Sequence, residues 1–368
     1  MNKKVLKIFL VWLAILITIG FFSSHLSGYK GGKCDEIRQL PYYRWDSFWY
    51  TSIARHGYTF SQIRNSSIAF FPLYPLTIKI AYLISGIRED WLSFGLNIIF
   101  SYLALSYLYR LAKFDYSEKE SLAIAVVFLF FPPAYFFLSG YPDVLFTLLA
   151  ILSLYFGRKK EWGRAGIATG LLAVTKPYGI FMFPVLIVEY LWSHNWNKKI
   201  FFKKFDWLPL TLPLVTFGAF VIFNYIKFGN PIAFLEAQHT WGRSLTNPLG
   251  ALFEEGRHYL FSGNILSGSN FPYLIYLVSF IFSIAAFVLS WNRVRKTYLL
   301  FSVLLLLSAL LTGTLTSWGR YMLLGFPILF GPAIYLSQKK YLFAAYILAS
   351  AFSLFFLASL FVRCYPVE

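Results

Sequence analysis

The sequence predicts an all-α polytopic membrane protein, and three observations carry that expectation. Hydrophobic residues make up 58% of the 368, charged residues only 13%, and the mean hydropathy is +0.60. So little polar surface cannot clothe a soluble globule of this size. Apolar runs close to the ~20 residues that a membrane crossing takes recur along the chain. Basic residues gather in short linkers between those runs, as they do in cytoplasmic loops. The net charge of +17 would also suit nucleic acid, but interleaving with apolar runs is the signature of membrane orientation, so no nucleic acid partner is expected.

Taken in order, the runs are 5–22, 92–112, 121–138, 143–157, 165–176, 178–192, 207–227, 271–290, 297–315, 321–337 and 341–361. They give about eleven spans, with the N-terminus inside and the C-terminus outside. The basic start and first apolar run could be a signal peptide or an uncleaved helix; Ser23-Ser24-His25 lacks the small-x-small pattern, which favours the helix. The basic linkers Arg158-Lys159-Lys160 with Arg164, Lys198-Lys199 with Lys203-Lys204, Arg293-Val294-Arg295-Lys296, and Lys339-Lys340 fall on the cytoplasmic side. Lys176-Pro177 breaks the short pair 165–176 and 178–192 into a hairpin that neighbours must satisfy. Counting 70–86 as a full span would invert everything downstream, so it is expected to be re-entrant or interfacial.

One integral membrane domain, 1–368, is therefore expected: a first helix at 1–22, an outer loop at 23–91 containing juxtamembrane helices, central helices at 92–227, a second outer loop at 228–270, and C-terminal helices at 271–361. The first loop carries Lys30, Lys33, Arg38, Arg44, Arg55 and Arg64, against the orientation rule. Long loops obey that rule weakly, and anionic phospho-lipids would give those charges a use. The polar clusters Ser139-Gly140-Tyr141-Pro142-Asp143, Glu236 to Ser244, and Thr316 to Tyr321 all fall on the outer face as well.

The stretch Tyr43 to Tyr58 is the most informative, because it sets Asp46 among aromatics just past the first apolar run. A carboxylate at a membrane surface can act as general base toward a hydroxyl, while Trp45, Trp49 and Tyr50 suit headgroup depth. The bland alternatives are an aromatic belt with one solvated acid, a helix cap, or an ion pair with Arg44. Lys176 lies within an apolar run, where an ionisable group costs about 2.5–3.5 kcal/mol at a helix centre; either it has a functional partner or it snorkels to the interface. Asp143 opens an apolar helix, as a first-turn acid or as an acceptor-binding or catalytic group. His56 and His239 could bind hydroxyls or an anion, but His25, His56, His194, His239 and His258 show no zinc spacing, and no metal site is expected. Cys34 and Cys364 are too few for a disulfide framework and lack metal-ligand spacing. No Rossmann or P-loop glycine pattern occurs, so the sequence offers no nucleotide-binding motif.

Tyr43-Arg44-Trp45-Asp46-Ser47-Phe48-Trp49-Tyr50 followed by Ile53-Ala54-Arg55-His56-Gly57-Tyr58, and then Phe70-Phe71-Pro72-Leu73-Tyr74-Pro75, resembles the opening of the PIG-V type mannosyltransferases. Phe136 to Phe146 resembles that family's Tyr-Thr-Glu-Ser-Leu-Phe turn, and Thr175-Lys176-Pro177-Tyr178-Gly179 its Thr-Arg-Pro-x-Gly element. Ala237-Gln238-His239-Thr240-Trp241-Gly242-Arg243 resembles its Gln-x-x-Trp-x-Arg loop, and Arg320-Tyr321 with Phe326-Pro327 its last motif. The likeness runs from roughly Tyr42 to Pro327. Two departures stand out: Pro142-Asp143 replaces Thr-Glu, and Lys176 stands where arginine is common, so exact donor contacts differ.

The resemblance implies a GT-C glycosyltransferase fold, an outward-facing active site in the plasma membrane, and a polyprenyl-phosphate-sugar donor. By the same resemblance, Asp46 is the base that takes the proton of an acceptor hydroxyl, with inversion at the anomeric carbon. Lys176, Arg243 and Arg320 are the candidates to hold the donor phosphate; arginine does so with a fork, lysine with a point charge. Substrate contacts are expected from Arg44, Trp45, Trp49, His56, Tyr58, Asp143, Gln238, Trp241 and Tyr321, some of which could instead serve as interfacial anchors. No cofactor is called for, with a divalent cation left open. The acceptor is a glycolipid, a glycan or a protein. Rival readings are a lipid-linked sugar transporter, an inactive scaffold, or a GT-C enzyme for another sugar such as arabinose, glucose or aminoarabinose.

Overall fold

The computed structural model describes residues 2–26, 40–197, 199, 204–243, 246–248, 250, 252, 253, 257, 271–365 and 367. Lys30, Lys33, Cys34, Arg38, Lys198, Lys203, Ser244 and His258 lie outside them. All regular structure among the described residues is helical. The first helices are α1 (Lys3–Ser24), α2 (Ser47–His56), α3 (Leu73–Ser85), α4 (Glu89–Ala112) and α5 (Glu118–Phe130). There follow α6 (Asp143–Arg158), α7 (Trp162–Ala173), α8 (Met182–Ser193), α9 (Leu212–Phe228) and α10 (Ala233–Thr240). The last are α11 (Phe271–Trp291), α12 (Lys296–Leu310), α13 (Trp318–Leu324), α14 (Phe330–Ser337) and α15 (Lys340–Val362).

Among the described residues, five stretches are long and apolar enough to cross a membrane unaided: α1, α4, Leu208–Phe228, α11 and α15. Only 22–33% of each span's most apolar window is buried inside the protein, so most of their apolar surface is left for lipid. A sixth candidate is the pair Trp318–Leu324 and Phe326–Ser337, bent by 93°. The expectation of about eleven spans therefore leans on shorter pieces, and prolines explain two of the breaks. The run 121–138 divides at Pro132-Pro133 into α5 and a 3-10 turn, Pro132–Phe137. The pair 165–176 and 178–192 becomes α7, a 3-10 turn Pro177–Phe181, and α8. Each proline removes a backbone donor and clashes with the preceding turn. The ambiguous segment 70–86 forms α3, whose 13 residues fall short of the ~20 a crossing takes.

Two compact units divide the chain: Met1–Ser47 with Tyr116–Gly140 and Arg243–Glu368, and Phe48–Asp115 with Tyr141–Gly242. In the first unit, α15 runs beside α1 and the turn Pro132–Phe137, and α5 lies beside α14. The corner after α13 frees backbone groups, and serines meet them. Ser302 donates to Gly325 O (3.0 Å), while Ser290 donates to Ile328 O (2.9 Å) and accepts from Gly331 N (3.2 Å). Cys364, just beyond α15, is disulfide-bonded; the one other cysteine of the sequence is Cys34.

In the second unit α6 is sandwiched by α4 and α7, and α7 by α6 and Leu208–Phe228. Gly166 makes the α7 approach possible: a Cβ there would lie 2.1 Å from Pro209 O. Asp115 and Glu189 flank Arg158 at the end of α6.

Candidate active site

In the first unit, the residues before α2 form a tight turn. Ser47 N–H donates to Arg44 O (3.0 Å) while Arg44 N–H donates to Ser47 Oγ (3.3 Å), leaving Trp45 and Asp46 at the tip. Trp45 has φ +47, a left-handed conformation that a bulky side chain rarely adopts, and its ring is exposed. Such strain costs on the order of 1–3 kcal/mol and persists only where the surroundings impose it. Asp46 is half-buried at the start of the helix.

Arg44 is buried, with 8% exposure, and its guanidinium faces backbone. Nε donates to Val362 O (2.9 Å), and one terminal nitrogen donates to Leu40 O (3.0 Å) and Tyr43 O (2.9 Å). Burial pushes its pKa below the ordinary arginine value. The expected substrate contact at Arg44 thus meets a side chain engaged with three carbonyls.

Arg320 and Tyr321 sit on α13, both buried. The Arg320 guanidinium lies over the Phe136 ring, 5.0 Å from its centroid. Phe136 in turn meets Phe361 edge-on (5.4 Å), the residue before Val362. A continuous path of contacts therefore joins Arg320 to Arg44 and the Asp46 turn. Arg243 donates to the Tyr321 hydroxyl (2.5 Å), which brings a second expected phosphate-binding cation to α13.

In the second unit, Asp143 and Lys176 form an ion pair, Nζ to Oδ2 at 3.1 Å. Asp143 is fully buried in the first turn of α6, where the helix dipole favours its charge. Lys176 is extended before Pro177, as that proline requires, and its ammonium finds a carboxylate. The two residues singled out separately in the sequence meet in one bridge.

The Phe-Pro-Leu-Tyr-Pro segment holds the elements carrying both charges. Tyr74 OH donates to Asn97 Oδ1 (3.1 Å), and Asn97 Nδ2 donates to Tyr141 O (3.0 Å), two residues before Asp143. Leu73 N–H donates to Val174 O (3.0 Å), two residues before Lys176. Asn97 went unnoticed in sequence, although a polar residue in the apolar run 92–112 is a signal of this kind. Arg55 and Glu89 were also missed as a pair: the guanidinium grips the buried carboxylate with both nitrogens (3.0 and 2.5 Å). His56, expected to touch substrate, is exposed at the end of α2.

Trp49, Phe70 and Trp241 form an aromatic trio. Trp49 stacks on Phe70 (5.7 Å), and Trp241 meets both edge-on (5.3 and 5.5 Å). The Trp241 indole nitrogen is buried without a hydrogen-bond partner among the described residues. Tyr58 donates to Phe70 O (3.0 Å) and packs on Phe223, while Gln238 donates to Ala69 O (3.2 Å). Tyr58 and Gln238 thereby hold the backbone behind the trio. Among the described residues, no group of three or more His, Cys, Asp or Glu could hold a metal ion.

A family model described as dolichyl-phosphate-mannose-protein mannosyltransferase matches residues 70–223. Among solved structures, the chain is similar to ArnT from Cupriavidus metallidurans bound to undecaprenyl phosphate: TM-score 0.53, 14% identity, 90% of this chain and 60% of that one. It is also similar to the apo oligosaccharyltransferase of Archaeoglobus fulgidus, with TM-score 0.48, 13% identity, and 97% and 56% coverage. The chain thus spans about 60% of the length of the ArnT chain it matches. No curated protein matches it by sequence. The all-helical fold is that of the GT-C class.

Proposed function

We propose that this chain is a membrane glycosyltransferase that moves a sugar, in the first instance mannose, from a polyprenyl-phosphate donor to an acceptor hydroxyl on the extracytoplasmic side. The observation that carries the reading is the strained turn that sets Asp46 at its tip, in the same compact unit as Arg243, Arg320 and Tyr321. The fold's likeness to ArnT, whose structure holds undecaprenyl phosphate, supports the donor class. The mannosyltransferase description of the matching family model supports the sugar, and the motif resemblance supports a PIG-V type enzyme.

In this reading the Asp46 carboxylate takes the proton of the acceptor hydroxyl as its oxygen attacks the anomeric carbon. The bond from that carbon to the phosphate oxygen breaks, and polyprenyl phosphate leaves with the electron pair. Attack from the face opposite the phosphate inverts the anomeric centre. Arg243 and Arg320 hold the leaving phosphate, arginine forks suiting that anion. Lys176, the third candidate cation, is paired with Asp143 within the second unit, which offsets much of its charge. Trp49 and Trp241 offer flat apolar faces to the sugar or to the isoprenoid chain.

The test is transfer from polyprenyl-phosphate-mannose by the purified protein in lipid, with wild type beside Asp46→Asn. Loss of about 10²–10⁴-fold in the rate of transfer is expected on removing a general base. Undiminished transfer by Asp46→Asn would remove Asp46 from that role.

A further inference from the structure

We infer that Arg44 is a positioning residue, which pins the Asp46 turn to the C-terminal end of α15 and so fixes the direction of the Asp46 carboxylate. The inference rests on the proposed base role of Asp46 and adds the device that holds it.

The last carbonyls of a helix have no partner within the helix. At the end of α15, Ser359 O accepts from Arg363 N–H (3.2 Å), Leu360 O from Tyr365 N–H (3.0 Å), and Phe361 O from Cys364 N–H (2.9 Å). Val362 O accepts from Arg44 Nε (2.9 Å). A cation at that end also meets the negative pole of the helix dipole. The same guanidinium binds Leu40 O and Tyr43 O, so one side chain joins the approach to the turn, the turn itself and the distant helix end. Its 8% exposure leaves little of it to meet a ligand.

The anchor is itself fixed. Beyond α15, Tyr135 OH donates to Val367 O (3.1 Å), and Phe361 packs on Tyr135 and Phe136. Trp45 at φ +47 shows that the turn is imposed by its surroundings: a tryptophan left to itself relaxes to negative φ. The group supplying that constraint has to bridge several carbonyls at once, which a planar fork does and a lysine ammonium on a flexible stem does not.

The experiment measures kcat and donor KM for Arg44→Lys and Arg44→Ala in lipid, with amide hydrogen exchange over residues 42–50. The expected result for Arg44→Lys is a fall in kcat of about 10–100-fold with donor KM within about twofold, since misplacing a reacting group by about an ångström costs on the order of 10²-fold. Faster exchange at the turn should accompany it. A rise in KM with kcat retained would assign Arg44 to substrate and overturn the inference, as would wild-type kinetics and exchange in Arg44→Lys. Should Arg44→Ala fail to fold, Arg44→Lys alone decides. Should the wild type transfer no sugar from any polyprenyl-phosphate donor, the proposed function fails, and the exchange measurement still decides whether Arg44 holds the turn.

Discussion

The two compact units hold their site cations in different ways. In the first unit the described contacts of the arginines are with neutral groups: Arg44 with three carbonyls, Arg243 with a tyrosine hydroxyl, Arg320 with a phenyl face. In the second unit they are with carboxylates: Lys176 with Asp143, Arg55 with Glu89, Arg88 with Asp90, Arg158 with Asp115. Carbonyls, a hydroxyl and a ring face fix where a cation sits without bringing a formal counter-charge of their own. An ion pair fixes the position and neutralises much of the cation's charge. The second unit's pairs organise the fold around their site.

The hardest test of this contrast is Asp143→Ala. Leaving Lys176 buried without its carboxylate should cost about 3–5 kcal/mol of stability, read by thermal unfolding in detergent. The double change Asp143→Asn with Lys176→Met should recover most of that loss. If Asp143→Ala unfolds like the wild type, the second unit's ion pair has no structural role and the contrast dissolves.

A smaller effect is expected from Tyr321→Phe, which takes away the hydroxyl beside Arg243 and keeps the charge. Donor KM should rise about tenfold, equivalent to about 1.4 kcal/mol, with thermal unfolding little changed. A large loss of stability with unchanged KM would make Arg243 resemble the second unit's cations.

The smallest effect concerns a carboxylate held by neutral groups, the mirror of the first unit's arginines. Glu120 accepts from both the backbone and the side chain of Ser117, with Ser117 Oγ in turn accepting from Glu120 N–H. These bonds hold the Glu120 pKa below the ordinary value. Because the folded pKa is the lower one, the contribution is present above the unfolded pKa and fades as pH falls through the folded value. Glu120→Gln should therefore lower stability by about 0.5–1 kcal/mol at neutral pH, and the difference from wild type should vanish in acid.

Composition and the recurring apolar runs made the helical membrane class legible, because lipid-facing helices must be apolar along their whole length. They made the crossings less legible. Apolar residues in a 3-10 turn such as Pro132–Phe137 look like those in a spanning helix, and only the prolines mark the break. At the site, Asp46 among its aromatics stood out, with a helix cap or an ion pair with Arg44 as its structural alternatives. Nothing there foretold that Arg44 would reach Val362, since periodicity defines a helix face and says nothing of which distant carbonyl that face will meet. Lys176 was recognised as a charge in need of a partner and Asp143 as a first-turn acid, yet that they are one another's partner depends on how α6 and α7 lie together. Tyr74 shows the same limit: its motif was visible, and its reach through Asn97 to Tyr141 was not.

The corner between α13 and the next helical stretch bears on how the protein is made. The arm Trp318–Leu324 has 7 residues, far too few to lodge across a bilayer alone. The serines that cap the exposed carbonyls of the corner, Ser290 and Ser302, lie upstream and leave the ribosome first. The bend thus meets a ready receptor as it emerges, and the arginine it carries is delivered by a segment that has no need to thread the membrane unaided.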